Sequence, residues 1–169
     1  MPSALVWMQT DGAQKYREAA RRLRKAGRGD LQRRMTKEIR TAGQPALAAL
    51  RAAWMTVEVE SSKGGNARPD KATGLRRRAA RASRIQAQQR GIRIYTSGAK
   101  VDPKYPSLVT YLNGFPRRRP WRHPVFGNRN NWVAQRGQEV FYPTLKAFAP
   151  EWRRGVMKAI EETLREIDG

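Results

Sequence analysis

PTLKAFAPEWRRGVMKAIEETLREI, residues 143–167, is the stretch that decides the fold class. Leu145, Phe148, Trp152, Val156, Ile160, Leu164 and Ile167 recur every three or four residues, which is the apolar stripe a helix turns toward a core. Pro143 suits the helix start, where a missing N–H goes unnoticed, whereas Pro150 is expected to bend or restart the rod. From Pro150 to Ile167 such a helix measures about 27 Å at ~1.5 Å per residue. Residues 151–169 carry four basic and five acidic side chains, so this end reads as an ordinary amphipathic helix.

The opposite end is helical too. Asp11 followed by Gln14 fits a capping box, and Tyr16, Ala19, Ala20, Leu23 and Ala26 then repeat at helical spacing. Gly27 and Gly29 stop that helix, and Asp30 is placed to cap the next, whose stripe is Leu31, Met35, Ile39 and Ala42. Gly43 and Pro45 interrupt it before a continuation through Leu47, Leu50 and Trp54. Residues 1–60 are therefore expected to be a helical part, either a hairpin or one long broken helix.

Between the ends the pattern changes. Residues 61–74 hold three Gly, one Pro and no large apolar residue, the composition of a flexible loop. Thr73 is placed to cap a short basic helix, Leu75 to Arg81. Ile85–Gln88 and Gly91–Tyr95 alternate weakly and predict a hairpin turning near Gln89 to Gly91. Pro106 opens a short helix, Ser107 to Leu112, which Asn113-Gly114 ends. Phe115 to Pro120 is too rich in Pro and Arg for regular structure, and the remaining strand candidates lie in 121–126 and 132–141. The expected architecture is α+β in a single domain over residues 1–169. N-terminal helices precede a small antiparallel sheet with long basic loops (75–142), and residues 143–169 form the closing amphipathic helix.

Composition narrows the function. The 169 residues carry a formal net charge of +21, with no Cys and one His. A disulfide framework, a Cys-ligated zinc and a His-rich metal site are thereby excluded. The longest apolar run, Pro45 to Leu50, falls far short of a bilayer span, and the N-terminus lacks the basic leader of a secretory signal. Leu, Ile, Val and Phe number only 29, so the core is thin; five Trp, five Tyr and five Met supply compensating apolar surface. A folded body whose loops gain order against a partner fits this balance.

No catalytic constellation, cofactor motif or metal set emerges. Gly64-Gly65 lacks the lysine and helix of a phosphate loop, Glu58 and Glu60 read as a solvated strand face, and His123 has no orienting third group. The chain is not expected to be an enzyme. Arg76, Arg77, Arg78, Arg81 and Arg84, together with Arg117, Arg118 and Arg119, are candidate contacts for DNA or another polyanion, blind to sequence because no base-reading motif accompanies them. Trp121, His123, Phe126, Trp132 and Trp152 are candidates for the fold or an interface, since Trp is enriched where proteins meet.

Thr73-Gly74-Leu75-Arg76, then Trp121-Arg122-His123-Pro124-Val125-Phe126-Gly127-Asn128, then Trp132-Val133-Ala134-Gln135 and the closing helix resemble the tail-completion (neck) proteins of long-tailed bacteriophages. The likeness is to the lambda minor tail protein Z type, in its actinophage-like version, over residues 73–168; the run Arg117 to Arg119 departs from it. The resemblance implies a virion component at the head–tail interface, assembled in the host cytoplasm. It would form a ring, hexameric in such proteins, between head-closure and tail-terminator proteins, with DNA in or near the lumen and no membrane association. A tail-terminator protein and a free sequence-independent nucleic-acid-binding protein are the alternatives.

Overall fold

The computed structural model describes residues 5–9, 13–57, 74–88, 91–114, 121–125, 128–135 and 137–168. Its elements are β1 (Leu5–Gln9), α1 (Ala13–Lys25), α2 (Gly29–Ala42), α3 (Gln44–Thr56), α4 (Leu75–Ala82), β2 (Ser83–Gln88), β3 (Gly91–Ser97), α5 (Gly98–Val101), α6 (Leu108–Leu112), β4 (Trp121–Val125), β5 (Asn128–Gln135) and α7 (Phe141–Asp168). The class is α+β, as the periodicities indicate. Helices begin only after a strand, however: β1 precedes α1 and forms a three-stranded sheet in the order β1-β3-β2. Strands β4 and β5 form a separate antiparallel pair. No described helix is long and apolar enough to cross a membrane.

Chain contacts divide the protein into two compact units, each drawn from three separated stretches. The first comprises residues 1–6, 50–83 and 96–143; the second comprises 7–49, 84–95 and 144–169.

The second unit is built on α1, α2 and most of α7. Helix α1 stops as its glycine requires: Gly27 sits at φ 69°, Arg28 N–H donates to the Leu23 carbonyl at 2.8 Å, and Gly27 N–H to that of Arg24 at 3.1 Å. This is a Schellman closure, and it turns the chain into α2. The α2 cap differs from the expectation. The N-cap is Arg28, no side chain caps it, and Asp30 lies inside the first turn. There the Leu31 amide, helped by Arg28, holds the Asp30 carboxyl below the usual carboxylate range. Its stabilising charge is therefore present above the ordinary carboxylate pKa and fades as pH falls through the lowered value.

Leu31, Met35 and Ile39 face the core from α2, and α7 runs antiparallel to it. Ala42 meets Gly155 near one end of this pairing, and Arg34 is ion-paired with Glu166 near the other. A Cβ on Gly155 would lie 2.6 Å from that of Ala42, so the approach depends on the missing side chain. Trp152 closes the same seam beside Gly43. Helix α7 runs unbroken through Pro150 for 28 residues, about 42 Å at ~1.5 Å per residue. Its buried row is Leu145, Trp152, Val156, Ala159, Ile160 and Thr163, while Phe148, Leu164 and Ile167 are half-buried.

In the first unit Trp54, Val57, Ala79, Ala82, Val101, Val109, Leu112 and Phe141 are buried. Helix α4 follows Gly74, which supplies no side-chain cap; Thr73, the expected cap, lies outside the described residues, as do Asp11, Glu58 and Glu60. The Asn113-Gly114 pair does more than end α6. The buried Asn113 Oδ1 accepts the amides of Val140, at 3.1 Å, and Phe141, at 3.0 Å, and so caps α7 from a distant part of the chain. Gln138 N–H donates to the Leu112 carbonyl beside it. Gly137 completes this junction, because a Cβ there would collide with the backbone of Tyr111 and Gly114. Gly137→Ala is expected to reduce stability by about 1–3 kcal/mol, seen as a lower denaturant midpoint at unchanged slope.

Candidate interface residues

The arginines of α4 do not share one solvent face. Arg76 is only 7% exposed, and its Nη1 donates to the Val57 carbonyl at 3.1 Å. It closes the end of α3 from within, so its candidacy as a polyanion contact is corrected: a guanidinium committed to a buried carbonyl does not meet a phosphate. Arg78 is half-buried, with Nη1 3.3 Å from Asp102 Oδ2 and its Nε enclosed with no partner among the described residues. Arg77 is half-buried, and Arg81 and Arg84 are exposed. Arg117, Arg118, Arg119 and Phe126 lie outside the described residues.

Trp152 is 1% exposed and belongs to the core rather than to any open surface. Trp121 and His123 stand on β4 and Trp132 on β5. Their register pairs Trp121 with Gln135, His123 with Val133 and Pro124 with Trp132, and it shifts between Pro124 and Val125. The motif that carries the resemblance is thus largely one antiparallel ribbon. Among the described residues neither strand pairs with a third. A two-stranded ribbon without further packing is marginal in water, so its lasting order depends on what else it meets.

The buried Ser83 hydroxyl of the first unit is fully satisfied by protein groups. Ser83 Oγ donates to the Ala79 carbonyl at 2.9 Å, accepts Trp54 Nε1–H at 3.1 Å, and lies 2.8 Å from Thr96 Oγ1. One hydroxyl donor and two acceptor sites are all in use, which makes Ser83 a tie between α4, α3 and β3.

Among the described residues three large rings are exposed, Tyr105, Tyr111 and Tyr142, all in the first unit. Each is firmly based. Asp102 Oδ1 accepts the amides of Lys104 and Tyr105, both at 3.0 Å, and Lys104 Nζ lies 5.3 Å from the Tyr105 ring centre. Tyr111 closes α6, and Tyr142 stands edge-on to Phe141, with ring centres 5.4 Å apart, where Asn113 caps α7. Sequence reading passed over these tyrosines because they sit among Pro, Asn and Gly without periodicity. Their flanking turn residues were the available signal.

A second missed feature is the basic face of α2, a helix whose core row the periodicity does give. Its positions separate into three faces: Leu31, Met35 and Ile39 toward the core; Asp30, Arg34 and Glu38 as a mixed-charge face; Arg33, Lys37 and Arg40 in the open. The mixed face satisfies itself, with Arg34 bridged to Glu38 at 3.5 Å and to Glu166. The basic residues recur at i, i+4 and i+7, a spacing visible in the sequence once the carboxylates are placed on their own stripe.

No protein-family model matches the chain, and no curated protein or solved structure is significantly similar to it.

Proposed function

We propose that this protein is a structural subunit of a bacteriophage neck, a tail-completion ring component lying between head-closure and tail-terminator proteins, with genomic DNA in or near the ring's lumen. The observation that carries the reading is the β4–β5 ribbon. The described part of the string with the strongest likeness to such proteins pairs as a two-stranded sheet, and among the described residues neither of its edges meets a third strand. Three based but exposed tyrosines add apolar area suited to protein contact. A net charge of +21 supports a DNA-facing placement and equally favours the second reading, a free nucleic-acid binder.

Sizing by native mass spectrometry after exhaustive nuclease treatment separates the readings. The neck reading expects a closed ring, or capture of head-closure and terminator proteins, with no nucleic acid remaining. A chain that stays monomeric at its highest soluble concentration and loses every partner with the DNA is the free binder instead. A chain that caps isolated tail tubes without a head-closure partner is a tail terminator.

A further inference from the structure

The open face of α2 borders a shallow depression of about 660 Å³, lined by Arg33, Lys37 and Arg40 together with Gln32, Thr36 and Gln44, among others. Among the described residues no carboxylate and no large apolar side chain contributes to it. Among the described residues none of the three cations has an acidic partner, although α2 carries two carboxylates of its own on the adjoining face. Like charges at i, i+4 and i, i+3 repel, so the arrangement lowers helix stability unless an anion lies along it. Thr36 Oγ1 is 3.3 Å from Tyr16 Oη, which fixes α1 against one side of α2 and holds the stripe on a packed support.

From these features we infer that the Arg33–Lys37–Arg40 face is a docking site for the phosphate backbone of double-stranded DNA. Seven residues of helix span about 10.5 Å at ~1.5 Å each. Duplex DNA presents a charge every ~1.7 Å of its axis, so phosphates outnumber the cations that face them. Two of the three are Arg, whose fork grips paired oxygens, and the Gln amides beside them supply neutral donors of the kind that fix register without reading bases. An acidic protein partner would call for apolar anchors at the centre of the patch, and this lining has none. Choosing DNA as the occupant rests on the neck reading; the electropositive face itself does not.

The test uses the full chain and a mixed-sequence duplex, with affinity followed by fluorescence anisotropy across a salt series. The triple variant R33A/K37A/R40A is expected to make the log–log salt slope less negative by about 2.7, three phosphate contacts at ~0.9 each. A control triple of equal charge on exposed α1 positions, K15A/R17A/R21A, is expected to shift it by less than about one. The double variant K37Q/R40Q, which retains polar side chains, is expected to give an intermediate slope. Equal shifts for the groove and control triples overturn the inference, as does displacement of DNA by poly-glutamate at equal charge. Mass photometry of the same variants keeps the two claims apart. Rings that persist while the slope is unmoved sink the docking face alone, and monomers with a normal slope change sink the neck reading alone.

Discussion

Trp54→Ala is expected to remove about 3–5 kcal/mol of stability, the range for truncating a fully buried large ring. Domains of ordinary size hold only about 5–15 kcal/mol in total, so the variant should be largely unfolded at modest denaturant. The loss has two parts. Trp54 is 0% exposed, so the truncation leaves a cavity that the surrounding structure fills only partially. It also takes the indole donor from Ser83 Oγ. Trp54→Phe separates the two by retaining most of the ring; it should cost about 1–2 kcal/mol, part of it the one acceptor site vacated on Ser83 Oγ, which keeps its bonds to Ala79 and Thr96. Trp152 provides the contrast. It is as buried, but among the described residues its Nε1 has no hydrogen-bond partner, so Trp152→Phe forfeits ring volume without a hydrogen bond. Guanidinium melts followed by far-UV circular dichroism rank the three. Equal midpoints for the two Phe variants would remove the Ser83 tie from this account.

Asn113→Ala is expected to cost about 2–4 kcal/mol, because one truncated side chain strands two buried amides, each worth about 1–3 kcal/mol when left unpaired. Asn113→Asp retains an acceptor in front of a helix N-terminus, where negative charge is favoured, and should recover part of the loss despite its burial. Hydrogen exchange gives a more specific readout than the melt. The amides of Val140 and Phe141 should lose protection in the Ala variant well before the middle of α7 does. If protection falls uniformly along the helix, Asn113 acts as packing rather than as a cap.

Much of the fold is legible in the residues because it is local. The α7 stripe, the Gly27 stop and the α2 core row follow from periodicity and turn chemistry, which a single stretch of chain carries. What escapes is long-range. Asn113 reads as the end of α6, yet its partners lie 27 and 28 residues onward. Arg76 reads as surface because charged side chains are rarely buried; its partner is the Val57 carbonyl, and no local pattern announces that a helix end needs one. Strand β1 is five residues long and precedes a strongly helical text, so only its sheet neighbour identifies it. Trp152, named both on the core-facing stripe and among the fold or interface candidates, is core, and the exposed rings among the described residues are tyrosines that no periodic argument selects.

The three-sided division of α2 makes that helix unusually intolerant of length change. Each residue advances the spiral by about 100°, so one inserted near Arg33 would swing the remaining positions a quarter-turn or more. Met35 and Ile39 would then turn toward the open stripe, Glu38 toward the core, and Lys37 and Arg40 toward the seam with α7. Point substitutions disturb one duty at a time, but a single codon gained or lost would scramble core, ion pair and electropositive face together. Drift in this segment should therefore proceed by exchange of letters and almost never by indels.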